Sequence, residues 1–157
     1  MPVRVQLEDF DAGAEINLLR LARPDAGAMV AFVGQVRDLN EGADVDKLTL
    51  EHYPGMTEKS LEGIIQQAIF RWGIHDALII HRIGTLKPLD QIVLVVVSGV
   101  HRGEAFAACE FIMDFLKTEA PFWKKEQTSA GERWIEARSG DEEARQRWIK
   151  PLDKPAR

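Results

Sequence analysis

Cysteine is nearly missing from this chain. Cys109 stands alone, so no internal disulfide can form, and a reducing, cytoplasmic setting is the expectation. Long apolar runs are missing as well: the longest, Ile92 to Val97, suits a buried strand rather than a membrane span. The opening residues, MPVRVQLEDF, lack the basic-then-apolar layout of a secretory signal. There is no surplus of positive charge. With a formal net charge of −5 and a pI near 5.4, the molecule as a whole does not attract nucleic acid or an anionic membrane, and any anion site has to be local. The glycine patterns of dinucleotide-binding, P-loop and α/β-hydrolase sites do not occur. His52, His75, His81 and His101 fall on different elements without metal-ligand spacing, which argues against a zinc site.

What is present is the composition of a folded globular protein. The chain has 157 residues, 45% of them apolar and 29% charged, enough to bury a core. Val3 to Leu7 alternates as a half-buried strand, and residues 12–22 read as a short helix. A strand starts at Ala28, DLNEGADVD reads as a polar loop, and KLTLEH as a strand with Leu48 and Leu50 on one face. Leu61, Ile64, Ile65, Ala68, Ile69 and Trp72 mark one stripe of a helix that Gly73 stops. ALIIHR is a strand, IGTLKPLD a turn, and QIVLVVVSG a strand apolar on both faces, hence central.

A helix over residues 102–118 buries Ala105, Cys109, Ile112 and Leu116, with Phe106, Met113 and Phe115 beside them. FWKKEQT and RWIEAR pair as a hairpin, DEEARQRWI forms a terminal helix, and KPLDKPAR frays. The order β-α-β-β-α-β-β-α-β-β-α lacks strict βα alternation. It predicts an α+β fold, one domain over residues 1–150 with the hairpin as an appendage and residues 151–157 as a flexible tail.

Two stretches can carry chemistry. In FLKTEAPFWKKE, Lys117 ends a helix, Pro121 turns the chain, and Lys124 and Lys125 follow on a strand where only one can face Lys117. The ordinary role of Lys117 is to complement the helix dipole. In VVVSGVHRGEAF, a strand gives way to a helix start carrying His101 and Arg102, where backbone N–H groups and a guanidinium suit a phosphate. A solvated turn fits the same pattern. Fifteen residues of helix separate Arg102 from Lys117 by roughly 22 Å, an obstacle to one small ligand touching both. Arg37 follows FVGQV, where Gly34 allows close approach to the backbone, and Arg138 ends the hairpin, where an arm reaches a neighbouring subunit. Cys109, inside an apolar line, is a packing residue.

LTLEHYPGMTEKSL, IIHRIGTLKPLD, SGVHRGEAFAACEFIMDFLKTEAPFWKKE and RWIEA together resemble the large, catalytic subunit of molybdopterin synthase. The resemblance runs from about Ala28 to Arg138 in the family's order and spacing, and residues 101–126 are its most specific part. It implies an α/β hammerhead-like core with an additional antiparallel hairpin or sheet. It also implies a homodimer within a heterotetramer, and a ubiquitin-like small subunit whose C-terminal thiocarboxylate donates two sulfurs to cyclic pyranopterin monophosphate.

By that resemblance, Lys117 and Lys124 are the catalytic lysines, moving protons or holding the acyl carbonyl. Gln35, Val36, Arg37, His101, Arg102, Lys117, Lys124, Lys125, Glu126 and Arg138 fall on substrate-binding positions, with Arg138 delivered by the partner subunit. Gln35 is a departure, since some members carry lysine there. No metal and no cofactor is required by the implied chemistry. Two other readings stand beside it: a non-catalytic adaptor that docks a ubiquitin-like tail, and a sulfur carrier using a Cys109 persulfide.

Overall fold

The structure is a computed structural model that describes residues 2–40, 43–135 and 139–149. Its first sheet has the order β1-β5-β7-β2. The strands are β1 (Val3–Gln6), β2 (Ala28–Gln35), β5 (Asp76–Arg82) and β7 (Gln91–Gly99). Strand β1 runs parallel to β5, while β7 is antiparallel to both β5 and β2. Because side chains alternate across a strand, β7 feeds two cores at once. Val93, Val95 and Val97 join the larger core, and Leu94 and Val96 the smaller one on the opposite face. That double burial is the central strand expected from QIVLVVVSG.

The larger core lies under α2 (Met56–Trp72) and α3 (Arg102–Thr118), with Leu61, Ile64, Ile65 and Ala68 from α2 meeting Ala105, Ala108, Phe111 and Ile112 from α3. Gly73, at φ 62°, caps α2 in the left-handed conformation that its sequence position anticipates. The smaller core is covered by α1 (Ala12–Ala22) through Ile16 and Leu19, and Asp11 caps that helix by accepting a hydrogen bond from the Ala14 N–H. Phe106, expected beside the buried line of α3, is instead 61% exposed. At the helical repeat it shares the outer stripe with Glu110 and Lys117, all exposed.

The second sheet is where the sequence reading needs correction. It contains β3 (Leu39–Asn40), β4 (Ala43–His52), β6 (Gly84–Leu86), β8 (Phe122–Thr128) and β9 (Gly131–Ile135). Strand β4 pairs with β8 from Val45↔Thr128 to His52↔Phe122, so the β8–β9 hairpin is integral to a sheet and is no appendage. The polar loop read into DLNEGADVD contributes β3 and the start of β4, and the turn read into IGTLKPLD contains β6, which pairs with β4 at Leu48↔Leu86. Two- and three-residue strands carry too little alternation to stand out from a loop. Leu48, Leu50 and Leu86 pack with Val36 beneath this sheet.

Helix α4 (Ser139–Ile149) lies against α3. The Trp148 indole N–H donates to Asp114 at 2.7 Å, and Arg71 donates to the Trp148 carbonyl at 3.2 Å. The Arg71 guanidinium also sits 5.1 Å from the Trp72 and Phe111 ring centres. Arg145 pairs with Glu119 at 2.6 Å and Arg147 with Glu110 at 2.8 Å. These surface pairs are screened by solvent, so the half-buried tryptophan is the stronger anchor. Arg138 and the tail from residue 150 lie outside the described residues, and so does the expectation placed on them.

Candidate active site

A cavity of about 440 Å³ opens between the two sheets, at the end of α3. Three segments of different origin wall it. Strand β2 bends out of its pairing between Gly34 and Gln35, where the register shifts from Gly34↔Val93 to Gln35↔Gln91. A side chain at Gly34 would place its Cβ 2.9 Å from Val93 Cγ1, so the close packing of β2 on β7 at this point favours glycine. The chain is then held by Val36, whose N–H donates to the Asp90 carbonyl and whose carbonyl accepts from the Leu89 N–H, both at 2.9 Å. Gln35, Val36 and Arg37 thereby reach the cavity rim.

The second wall is the last turn of α3. Leu116 anchors it in the core, 5% exposed, and the next residue, Lys117, lies outside the buried stripe and lines the cavity. The helix ends at Thr118, Glu119 closes it with an N–H to Phe115 carbonyl bond of 2.7 Å, and Pro121 turns the chain into β8. On β8 the strand period then sorts the side chains. Phe122, Lys124 and Glu126 line the cavity, while Lys125 faces away, 3.4 Å from Glu132 and over the Trp134 ring at 5.5 Å. Glu126 is buried and accepts from the Arg133 guanidinium at 2.9 and 3.0 Å, which keeps a charge-assisted pair beside the lysines.

The third wall is one that sequence reasoning missed. His81 on β5 is 3% exposed, stacks on Phe122 with ring centres 3.8 Å apart and planes 17° apart, and lines the cavity. Burial holds its pKa down to about 3, outweighing the hydrogen bond to the Arg82 carbonyl; the positive charges of Lys124, Lys117 and His52 push the same way as burial. The signal in the sequence was a histidine two residues on from Ile79, on the face of β5 that enters the larger core. Asp141, from α4, was missed too; it also lines the cavity, and no local pattern near it announced that.

The structure thus brings Gln35, Val36, Arg37, Lys117, Lys124 and Glu126 to one cavity, and leaves Lys125 on the outer face of β8. His101 and Arg102 lie elsewhere. His101 is the N-cap of α3 and Arg102 its first residue, both exposed, and neither lines the cavity. Cys109 is buried in the core, and desolvation raises its thiol to about 11, which suits packing and disfavours the thiolate a persulfide carrier needs. Among the described residues no three His, Cys, Asp or Glu side chains converge as metal ligands.

What this geometry can do is neutralise and orient an anion: ammonium groups from a helix end and from a strand, with an arginine at the rim, meet in a chain that is acidic overall. Fold and cavity together define a class, an α+β protein with a local cationic cleft between two sheets. The model of the MoaE protein family matches residues 5–119, and the chain belongs to that family.

The chain is 62% identical over 146 residues to the molybdopterin synthase catalytic subunit of Ralstonia nicotianae, across 93% of this chain and 83% of that protein. Among solved structures, it resembles the molybdopterin biosynthesis MoaE protein of Burkholderia ambifaria with a TM-score of 0.81 and 56% identity, covering 95% of this chain and 98% of that one. It also resembles molybdopterin synthase of Staphylococcus aureus, with a TM-score of 0.80 and 31% identity over 87% and 98% of the two chains.

Proposed function

We propose that this chain is the catalytic subunit of a molybdopterin synthase, an enzyme of molybdenum cofactor biosynthesis. It acts as a sulfurtransferase, moving two sulfurs from the C-terminal thiocarboxylate of a ubiquitin-like small subunit to cyclic pyranopterin monophosphate. The observation that carries this reading is the convergence of Arg37, Lys117 and Lys124 on one cavity in a member of the MoaE family.

Donor and acceptor are both anionic, and the cavity supplies cations for each. Lys117 and Lys124, on neighbouring walls, hold the acyl carbonyl of the donor and move the protons that accompany each transfer. Arg37 at the rim faces the phosphate. His101 and Arg102 stand at the far end of α3, and serve the same substrate when a second copy of the chain brings its helix start to this cavity. That arrangement calls for the homodimer, to which the family resemblance assigns Arg138 as the partner copy's contribution.

The test is direct. The protein is incubated with a thiocarboxylated small subunit and the pyranopterin, and the dithiolene product is assayed. Product formation that persists in Cys109→Ser supports transfer from the donor tail and removes a persulfide carrier. Tail binding without any product reduces the chain to an adaptor.

A further inference from the structure

Among the described residues, His81 is the only histidine that lines the cavity, and nothing in the chemistry above uses it. We propose that His81 is a positioning residue for Lys124: its unprotonated Nε2 offers a hydrogen-bond acceptor to the Lys124 ammonium when the cavity is loaded, while its ring, stacked on Phe122, fixes the strand face that carries this lysine. The proposal rests on the sulfur-transfer reading of the cavity.

The tautomer follows from one contact. Nδ1 lies 2.8 Å from the Arg82 carbonyl oxygen, which can only accept, so Nδ1 carries the proton. The neutral ring then has its lone pair on Nε2. Among the described residues the ring makes no other hydrogen bond, so this acceptor is not spent inside the protein. Burial and nearby cations keep the ring neutral against the Arg82 carbonyl, which favours its protonation. Lys124 from β8, Lys117 from α3 and His52 from β4 all oppose a positive imidazole, and burial opposes it most. Arg37, Glu126 and Asp141 complete the charged lining of the cavity.

The ring is also held in orientation. His81 stacks on Phe122 with ring centres 3.8 Å apart, His52 lies 6.3 Å from the same ring, and the Nδ1–carbonyl bond fixes rotation within the plane. Phe122 and Lys124 sit on the same face of β8, two residues apart, so a rigid stack under Phe122 is transmitted to the backbone that carries the amine. A permanently neutral acceptor beside lysines orients an ammonium without quenching the field that gathers anions. A carboxylate in its place would quench it.

Three variants separate this role from packing. His81→Phe keeps the stack and removes both nitrogens, and should lower kcat for dithiolene formation on the order of tenfold or more while leaving KM for the pyranopterin nearly unchanged. His81→Gln carries an acceptor near Nε2 and should recover part of that loss. His81→Leu removes stack and acceptor and should be the slowest. Loss of kcat in His81→Phe with no recovery in His81→Gln would overturn the acceptor role, and an unaffected kcat would overturn the proposal.

Two readouts stand apart from the reaction, so that failure of the sulfur-transfer reading is distinguishable. In protein saturated with the pyranopterin and without donor subunit, the ¹⁵Nζ resonance of Lys124 should move between wild type and His81→Phe at a fixed pH, and an unmoved resonance counts against the contact. In the wild-type protein, ¹⁵N spectra of His81 should show a protonated Nδ1 and a bare Nε2 at neutral pH. A protonated Nε2 overturns the assignment even where a variant fails to fold.

Discussion

The two ends of α3 carry the same kind of chemistry in different surroundings. At its start, His101 and Arg102 are exposed cations at a helix N-terminus, a place that favours anions by its own backbone. At its end, Lys117 is an exposed cation where the helix dipole already favours it. Taken as helix ends, the first is the better anion site. The structure favours the other end: β2's bulge, β5 and β8 wall a cavity at Lys117, and neither His101 nor Arg102 of the same chain lines it. A cation becomes a site when other elements converge on it, and that convergence is a tertiary fact.

The largest effect that could break this contrast is at Lys117. Lys117→Ala should abolish dithiolene formation, and Lys117→Arg should be nearly inactive although it preserves charge, because a guanidinium stays protonated. Folding should change by less than about 1 kcal/mol, since the side chain lies outside the buried stripe. Matched circular dichroism with measured turnover checks both statements. Next in size, Lys124→Ala should lose most of its activity while Lys125→Ala retains much of it, because the strand period turns Lys125 toward Glu132 and Trp134. Equal losses in the two would show that net charge, and not the cavity, is what matters.

The start of α3 yields a sharper comparison. Arg102→Ala should weaken pyranopterin binding by about 1.5–3 kcal/mol, the worth of a charge-assisted hydrogen bond, with little effect on the donor subunit. Calorimetric titration with each ligand decides this. If the site is shared between copies, mixing Arg102→Ala with Lys117→Ala lets heterodimers rebuild one intact site, and activity should return to about a quarter of wild type. No recovery would rule out a site shared between copies.

The remaining effect is on stability. Above pH 6.5 His81 is neutral in both folded and unfolded chains. Below it the unfolded chain gains a proton that the folded protein refuses until about pH 3. The contribution of neutral His81 is therefore complete above pH 6.5 and is lost as pH falls toward 3. Between pH 7 and 4.5 wild type should lose about 2.5 kcal/mol more than His81→Phe, measured by urea unfolding at each pH.

Much of the fold was legible because its signals are periodic. The double-faced apolar run of β7, the stripe on α2 ending at Gly73 and the line Ala105–Cys109–Ile112–Leu116 each state a face and a length. The short strands β3 and β6 have no room for a period, and pairing partners made them. In the site, the alternation of Lys124 and Lys125 was readable from a strand alone. That Gln35, Arg37 and Lys117 share a cavity with Lys124 entered only by resemblance, since these four residues lie on three separated segments. His81 announced a polar group on a core face but not what it faced, and Asp141 arrives on a helix whose docking depends on Trp148 and Asp114.

The most direct test of the cavity at the end of α3 as the place of sulfur transfer is to locate the donor tail. In a crystal structure of this chain with the small subunit, the terminal glycine carboxylate should lie within hydrogen-bond distance of Lys117 or Lys124, inside the cavity bounded by Arg37, His81 and Phe122. A tail seated at His101 and Arg102 of the same chain, with the Lys117 end empty, would contradict it.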